Sequence, residues 1–145
     1  MAETVPATVT YVIDLHMTEL LTLNQRLNRH ERAKCSATIR NKAVAARLQN
    51  REPRFERARL APTIKFRDRR RRDGINLTPT VKAAVDGIVS GPPVPNKERG
   101  IVPAWPHALL PDDDAERLTG TEPAIGWDGN LRPQWVRLIL EFTEV

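Results

Sequence analysis

Hydrophobic and polar residues alternate with period two over Thr8–Leu15 (TVTYVIDL), where Val9, Tyr11 and Ile13 oppose Thr10, Val12 and Asp14. Alternation of this kind in β-branched residues predicts a strand. The same period returns over Gln134–Val145 (QWVRLILEFTEV), predicting a strand whose inner face carries Val136, Leu138, Leu140 and Phe142. Between them, Asn28–Asn50 has neither Gly nor Pro and is rich in Ala, Arg and Lys, which predicts a helix of about six turns. Its apolar members Ala33, Ala37, Val44 and Leu48, with Ile39 nearby, form a thin stripe, so most of its surface is expected to face solvent or phosphate.

Phe55–Phe66 alternates charged and apolar residues and is interrupted by Pro62, the pattern of an edge or bulged strand. Thr78 can cap a short helix with Pro79 at its first position, and Val81, Val85, Ile88 and Val89 recur at near-helical spacing up to Gly91. Gly91–Pro106 holds five prolines and two glycines and is expected to be a long irregular loop. Leu110–Ala115 (LPDDDA) is an acidic turn, after which the chain up to Trp127 can supply a further strand. The elements predict an α+β fold: a small single domain over residues 1–145, with a mixed β-sheet of about four strands and two main helices.

Charge changes the picture. The 145 residues carry 23 Lys and Arg against 18 Asp and Glu, but Arg26–Arg72 holds seventeen of the basic residues and four of the acidic ones, a surplus of 13. The rest of the chain is acidic. Such a split suits a protein that grips phosphates with one part and presents carboxylates with another, which makes nucleic acid the expected partner class. No apolar run approaches the length of a membrane span, and Met1–Val5 has no basic segment leading into an apolar one, so the expectation is a cytoplasmic protein with no membrane partner. The single Cys35 lacks the spaced partners of a zinc site and reads as an ordinary helix residue. His16, His30 and His107 have no mutual metal or triad spacing, and Trp105, Trp127 and Trp135 read as core or loop anchors.

The most specific segment is Asp68–Asp73 (DRRRRD), four arginines bracketed by carboxylates and followed by Asn76, Leu77 and the helix bearing Lys82, Ala83, Ala84, Asp86 and Gly87. With Leu110–Ala115 and Leu23–Leu27 (LNQRL), this segment resembles the RusA family of Holliday-junction resolvases, small endodeoxyribonucleases of bacteriophage and prophage, over roughly residues 21 to 118. The resemblance implies a homodimer that binds four-way DNA junctions and nicks opposing strands with Mg²⁺, Mn²⁺ being possible, in recombination, repair or phage DNA processing in a bacterial host cytoplasm. It places a catalytic, metal-binding carboxylate at Asp73, the catalytic lysine at Lys82, and a later catalytic, metal-binding carboxylate at Asp113 or Asp114, between which sequence does not choose. It assigns DNA contacts to Arg69, Arg70, Arg71 and Arg72, with Arg26, Lys65 and Arg67 added from the basic segment. Asp86, four residues after Lys82, reads as that lysine's partner on the helix surface.

The family pattern has a second Asp two positions after Asp73, where this chain has Ile75. Asp68, Asn76 or the spare Asp of 112–114 could stand in as an oxygen ligand. The alternative is a RusA-like protein that binds branched DNA or a host protein without cutting. A generic basic nucleic-acid-binding module is the third reading, should the carboxylates lie far apart.

Overall fold

The computed structural model describes residues 6–93 and 105–145; most of the Pro-rich segment expected as a loop, residues 94–104, lies outside them. Strand β1 (Thr8–His16) is followed by a 3-10 turn (Met17–Glu19), helix α1 (Arg29–Gln49) and strand β2 (Ala58–Phe66). A second 3-10 turn (Gly74–Leu77) runs into helix α2 (Thr78–Ser90), after which come β3 (Leu118–Thr119), β4 (Ala124–Trp127) and β5 (Trp135–Glu144). Five strands form one mixed sheet in the order β1-β5-β2-β3, with β4 also paired to β2.

The order explains the architecture. β5 is antiparallel to both β1 and β2, from Thr8↔Thr143 to His16↔Trp135 on one side and from Ala58↔Glu144 to Lys65↔Arg137 on the other. β1 and β2 therefore run parallel with β5 inserted between them, a split β-α-β unit. β3 and β4 are parallel to β2, so α2 is a second crossover.

One face of the sheet is dry. Val9, Tyr11, Ile13 and Leu15 of β1, Val136, Leu138, Leu140 and Phe142 of β5, and Leu60, Ile64 and Phe66 of β2 are all buried in one cluster with Ile39 and Ala43 of α1 and Val81, Ala84, Val85 and Ile88 of α2. The inner positions expected for β1 and β5 are the ones observed. The alternate residues, among them Val12 (52% exposed), face away from the helices.

Three expectations need correction. Pro62 lies within an interior strand, not an edge. Outside β5, the register of β2 pairs 58–59 with β3 and 63–66 with β4, and Pro62 falls in the gap, where no ladder donor is required on that side. Gly120, at φ +89°, passes so close beneath this gap that a Cβ there would lie 2.2 Å from the Leu60 carbonyl oxygen.

The buried stripe of α1 is also phased differently. Asn28 caps the helix by accepting the Glu31 backbone N–H at 2.8 Å, as an N-cap asparagine should. The buried residues, however, are Ile39, Ala43, Val44 and Arg47, while Ala33 and Leu48 are exposed. Arg47 has no exposed surface; its guanidinium donates to the carbonyls of His107 (2.7 Å), Asn50 (3.2 Å) and Pro53 (2.8 Å) and to the Tyr11 hydroxyl (2.7 Å). Burial raises the Tyr11 pKa above the usual phenol value, although the neighbouring Arg47 pulls it down.

Finally, Thr78 is the first helical residue of α2 and not its cap. Leu77 occupies the cap position without a side-chain bond, and the Thr78 hydroxyl donates back to the Ile75 carbonyl at 2.8 Å. The turn before α2 is instead capped by Asp73.

Candidate active site

The DRRRRD segment leaves the sheet at the end of β2, and its six residues take different roles. Asp68 accepts the Arg70 backbone N–H at 3.0 Å and pairs with Arg72 at 2.9 Å, and the Arg72 hydrogen bond holds its pKa below the usual carboxylate value. Arg72 is drawn inward, its guanidinium 3.7 Å from the centre of the Phe66 ring. Arg69 stacks at 4.0 Å on the half-exposed ring of Trp127. Arg70 and Arg71 are exposed. Arg67 is exposed and donates to the Leu131 carbonyl at 3.0 Å.

Lys82, on the second turn of α2, is the centre of a charged group. Its ammonium lies 2.5 Å from Asp113 Oδ2, brought in by the acidic turn 31 residues later, and 3.2 Å from Asp86 Oδ1 on its own helix. Of Asp113 and Asp114, it is Asp113 whose side chain points at Lys82. Asp114 turns away: its Oδ1 accepts the backbone N–H groups of Glu116 (3.0 Å) and Arg117 (3.1 Å), and Oδ2 lies 3.7 Å from the Arg117 guanidinium. Asp112 accepts the Asp113 N–H at 2.8 Å and so stiffens the turn that carries Asp113.

The electrostatics of the group follow from this geometry. Partial burial opposes the charge on Lys82, but hydrogen bonds to Asp113 and Asp86 outweigh it and raise its pKa. Burial likewise favours the neutral form of Asp113, yet Lys82, together with hydrogen bonding to Asp86 and Asp112, holds its pKa down. Asp86 goes the other way: burial, and the neighbouring Asp113 charge, push its pKa up against the pull of Lys82. The contribution of ionised Asp113 is therefore present above the ordinary carboxylate range and is lost as pH falls through its lowered pKa.

A local device sets the position of α2. Buried Thr80 accepts the Leu21 N–H at 2.9 Å and donates to the Leu21 carbonyl at 2.7 Å. Asn76 Oδ1 accepts the N–H groups of Leu23 (3.1 Å) and Asn24 (3.2 Å), which ties the chain before Arg26 to the turn before α2. Asn76 is thus engaged in structure. Asp73 accepts the Ile75 N–H at 3.3 Å, and Ile75 itself is 51% exposed.

Of the residues singled out from sequence, Lys82 and Asp113 meet, whereas Asp73, Asp68 and Asp114 make no hydrogen bond or ion pair with Lys82. Among the described residues no three acidic, histidine or cysteine side chains converge as a metal-binding group. Lys65 lies on the sheet face opposite the helices, beside Arg137 in register and thus away from Lys82. Arg26 is exposed at the entry to α1. Asp86, read from sequence as a surface partner of Lys82, does make that pair and in addition faces Asp113; its i, i+4 spacing was the available signal, but only the fold shows the third member.

His16, His107 and Cys35 have local roles. His16 caps the first 3-10 turn, and the His107 ring packs edge-on to Trp105 with centroids 5.8 Å apart. Cys35 is half-buried beside the core. Among the described residues no helix is long and apolar enough to cross a membrane. No protein-family model matches the chain, and no curated protein matches it.

Proposed function

We propose that the chain is a structure-selective DNA endonuclease of the RusA type, acting as a homodimer on four-way junctions by metal-dependent phosphodiester hydrolysis. The observation that supports this reading most is the meeting of Lys82 with Asp113, one of the two later carboxylates that the resemblance offers, 31 positions away. The arginine run at the end of β2 supplies the second requirement, a cationic surface: Arg70 and Arg71 are exposed and suited to phosphates.

Asp113 and Asp86 are the carboxylates that would hold Mg²⁺ or Mn²⁺. Two such ligands fit a hard cation that keeps several waters and takes a substrate phosphate as a further ligand. When bound, the ion supplies a water activated for attack and an electrophile for the phosphoryl oxygen. Lys82, which pairs with both carboxylates in the structure, would turn to that oxygen when they take the ion and offset the charge that builds there. Asp113, ionised down to low pH, keeps its ligand form throughout the neutral range.

A second reading rests on a specific observation. Where the family pattern has a carboxylate this chain presents Ile75, half-exposed, and Asp73 turns its side chain back to the Ile75 amide. On that reading the protein binds branched DNA without cutting it.

Both readings are tested with a labelled four-way junction and a matched linear duplex, in Mg²⁺, in Mn²⁺ and with chelator. The endonuclease reading expects paired nicks in the junction that need metal, with Asp113→Asn lowering the rate at least about 100-fold while junction affinity changes only a few-fold. Ile75→Asp is expected to raise the rate. Nicks that persist unchanged in Asp113→Asn would overturn the assignment of the site, and tight junction binding with no nicks in either metal would establish the second reading.

A further inference from the structure

Beside Lys82, residues of α1 and α2 line a cleft of about 380 Å³. Arg29 and Arg32, one turn apart on α1, form one wall, and Lys82 and Asp86 of α2 form the other. The small side chains of Ala33 and Ala83 keep it open. Lys82 thus belongs both to the group described above and to this cleft, and the two are continuous.

The charge in the cleft is unbalanced. Three cations face one carboxylate, and that carboxylate is already paired with Lys82. Neither Arg29 nor Arg32 is in an ion pair among the described residues. Both stand in the first turns of α1, where the helix dipole opposes a cation, so their placement is unfavourable for the folded chain alone. An arrangement that costs stability and gathers unpaired guanidinium groups around an open space is one that an anion completes. Guanidinium offers two parallel donors to a phosphate oxygen pair, and an arginine at each end of a turn suits successive phosphates better than a single small anion.

We infer that this cleft holds the phosphodiester backbone of the DNA strand next to the point of cleavage, with Arg29 and Arg32 each taking a phosphate. This rests on the DNA-cleaving reading above and extends it. The strand enters between the two helices, passes Lys82 and reaches Asp113. The arginine run at the end of β2 is then one of two phosphate-binding regions, and α1 contributes the other.

The test is the salt dependence of binding of the full chain to the labelled junction. Each phosphate contact contributes about 0.9 to the slope of log K against log salt, so Arg29→Ala with Arg32→Ala is expected to flatten the slope by about two. The doubly substituted Arg29→Lys, Arg32→Lys chain, which keeps the charges, is expected to retain it and serves as the control for folding. Arg57→Ala with Arg59→Ala, two exposed arginines outside the cleft, is expected to leave the slope unchanged. An unchanged slope in the alanine pair at the cleft, or an equal loss in the Arg57, Arg59 pair, would overturn the assignment of the cleft while leaving the endonuclease reading standing. Absence of nucleic-acid binding by the unsubstituted chain would overturn both.

Discussion

Arg47 has the largest claim on stability of any single polar residue here, because a guanidinium with no exposed surface must have its donors met inside the protein. They are met by three carbonyls and the Tyr11 hydroxyl, which join the end of α1 to β1, to the connection before β2 and to the segment at His107. Arg47→Ala removes all four of those bonds, one of them fully buried, and leaves a void where the side chain was. The expected cost is about 3–5 kcal/mol, read as a lowered urea midpoint. A loss below about 1 kcal/mol would mean that water replaces the guanidinium freely and that Arg47 is not the tie described. Residue type concealed this: in a helix with so many basic side chains, nothing in the local sequence separates the one that turns inward from those that face solvent. Asp86 was hidden in a similar way, since a Lys–Asp pair four apart looks the same whether or not a second carboxylate arrives from elsewhere in the chain.

At the scale of elements, the crossing of α1 and α2 depends on Gly87. A Cβ at that position would lie 2.4 Å from the Arg40 carbonyl oxygen and 2.8 Å from the Ala43 Cβ, so the helices touch through backbone. Alanine is intrinsically better in a helix by about 1 kcal/mol, but forcing the pair apart costs about 1–3 kcal/mol in displaced packing. Gly87→Ala is therefore expected to lower the thermal midpoint, and a raised one would show that the crossing relaxes without strain. The strands and helices themselves were readable where pattern and tertiary demand agree. The alternation of β1 and β5 predicted their buried faces, and the spacing of Val81, Val85, Ile88 and Val89 predicted that of α2. Pro62 was misread because a proline marks a missing ladder bond but not its cause, and the cause here is a gap between two separate partner strands. In the candidate site the resemblance named Lys82 and left Asp113 and Asp114 open; that only Asp113 meets Lys82 is set by the turn, whose hydrogen bonds use Asp114 for its own closure.

For the whole molecule, the decisive feature is that β5 lies in the middle of the sheet. Its inner residues Val136, Leu138, Leu140 and Phe142 are almost wholly buried, and both β1 and β2 depend on it for their hydrogen-bonding partners. A chain cut after Gln134 is expected to show no cooperative unfolding transition by circular dichroism, since each remaining long strand loses its only long neighbour; a truncated chain that melts cooperatively would show that β1, α1 and β2 form a stable unit without it. The same arrangement unites the basic and acidic parts of the chain, because β2 leads out of the one and β5 belongs to the other. It also bears on biosynthesis. Until residues 135–144 have left the ribosome, β1 and β2 have no strand to join them, and the arginine-rich middle of the chain has no scaffold to arrange it. A product of interrupted translation would thus be an open target for proteolysis rather than a persistent, partly folded cationic fragment.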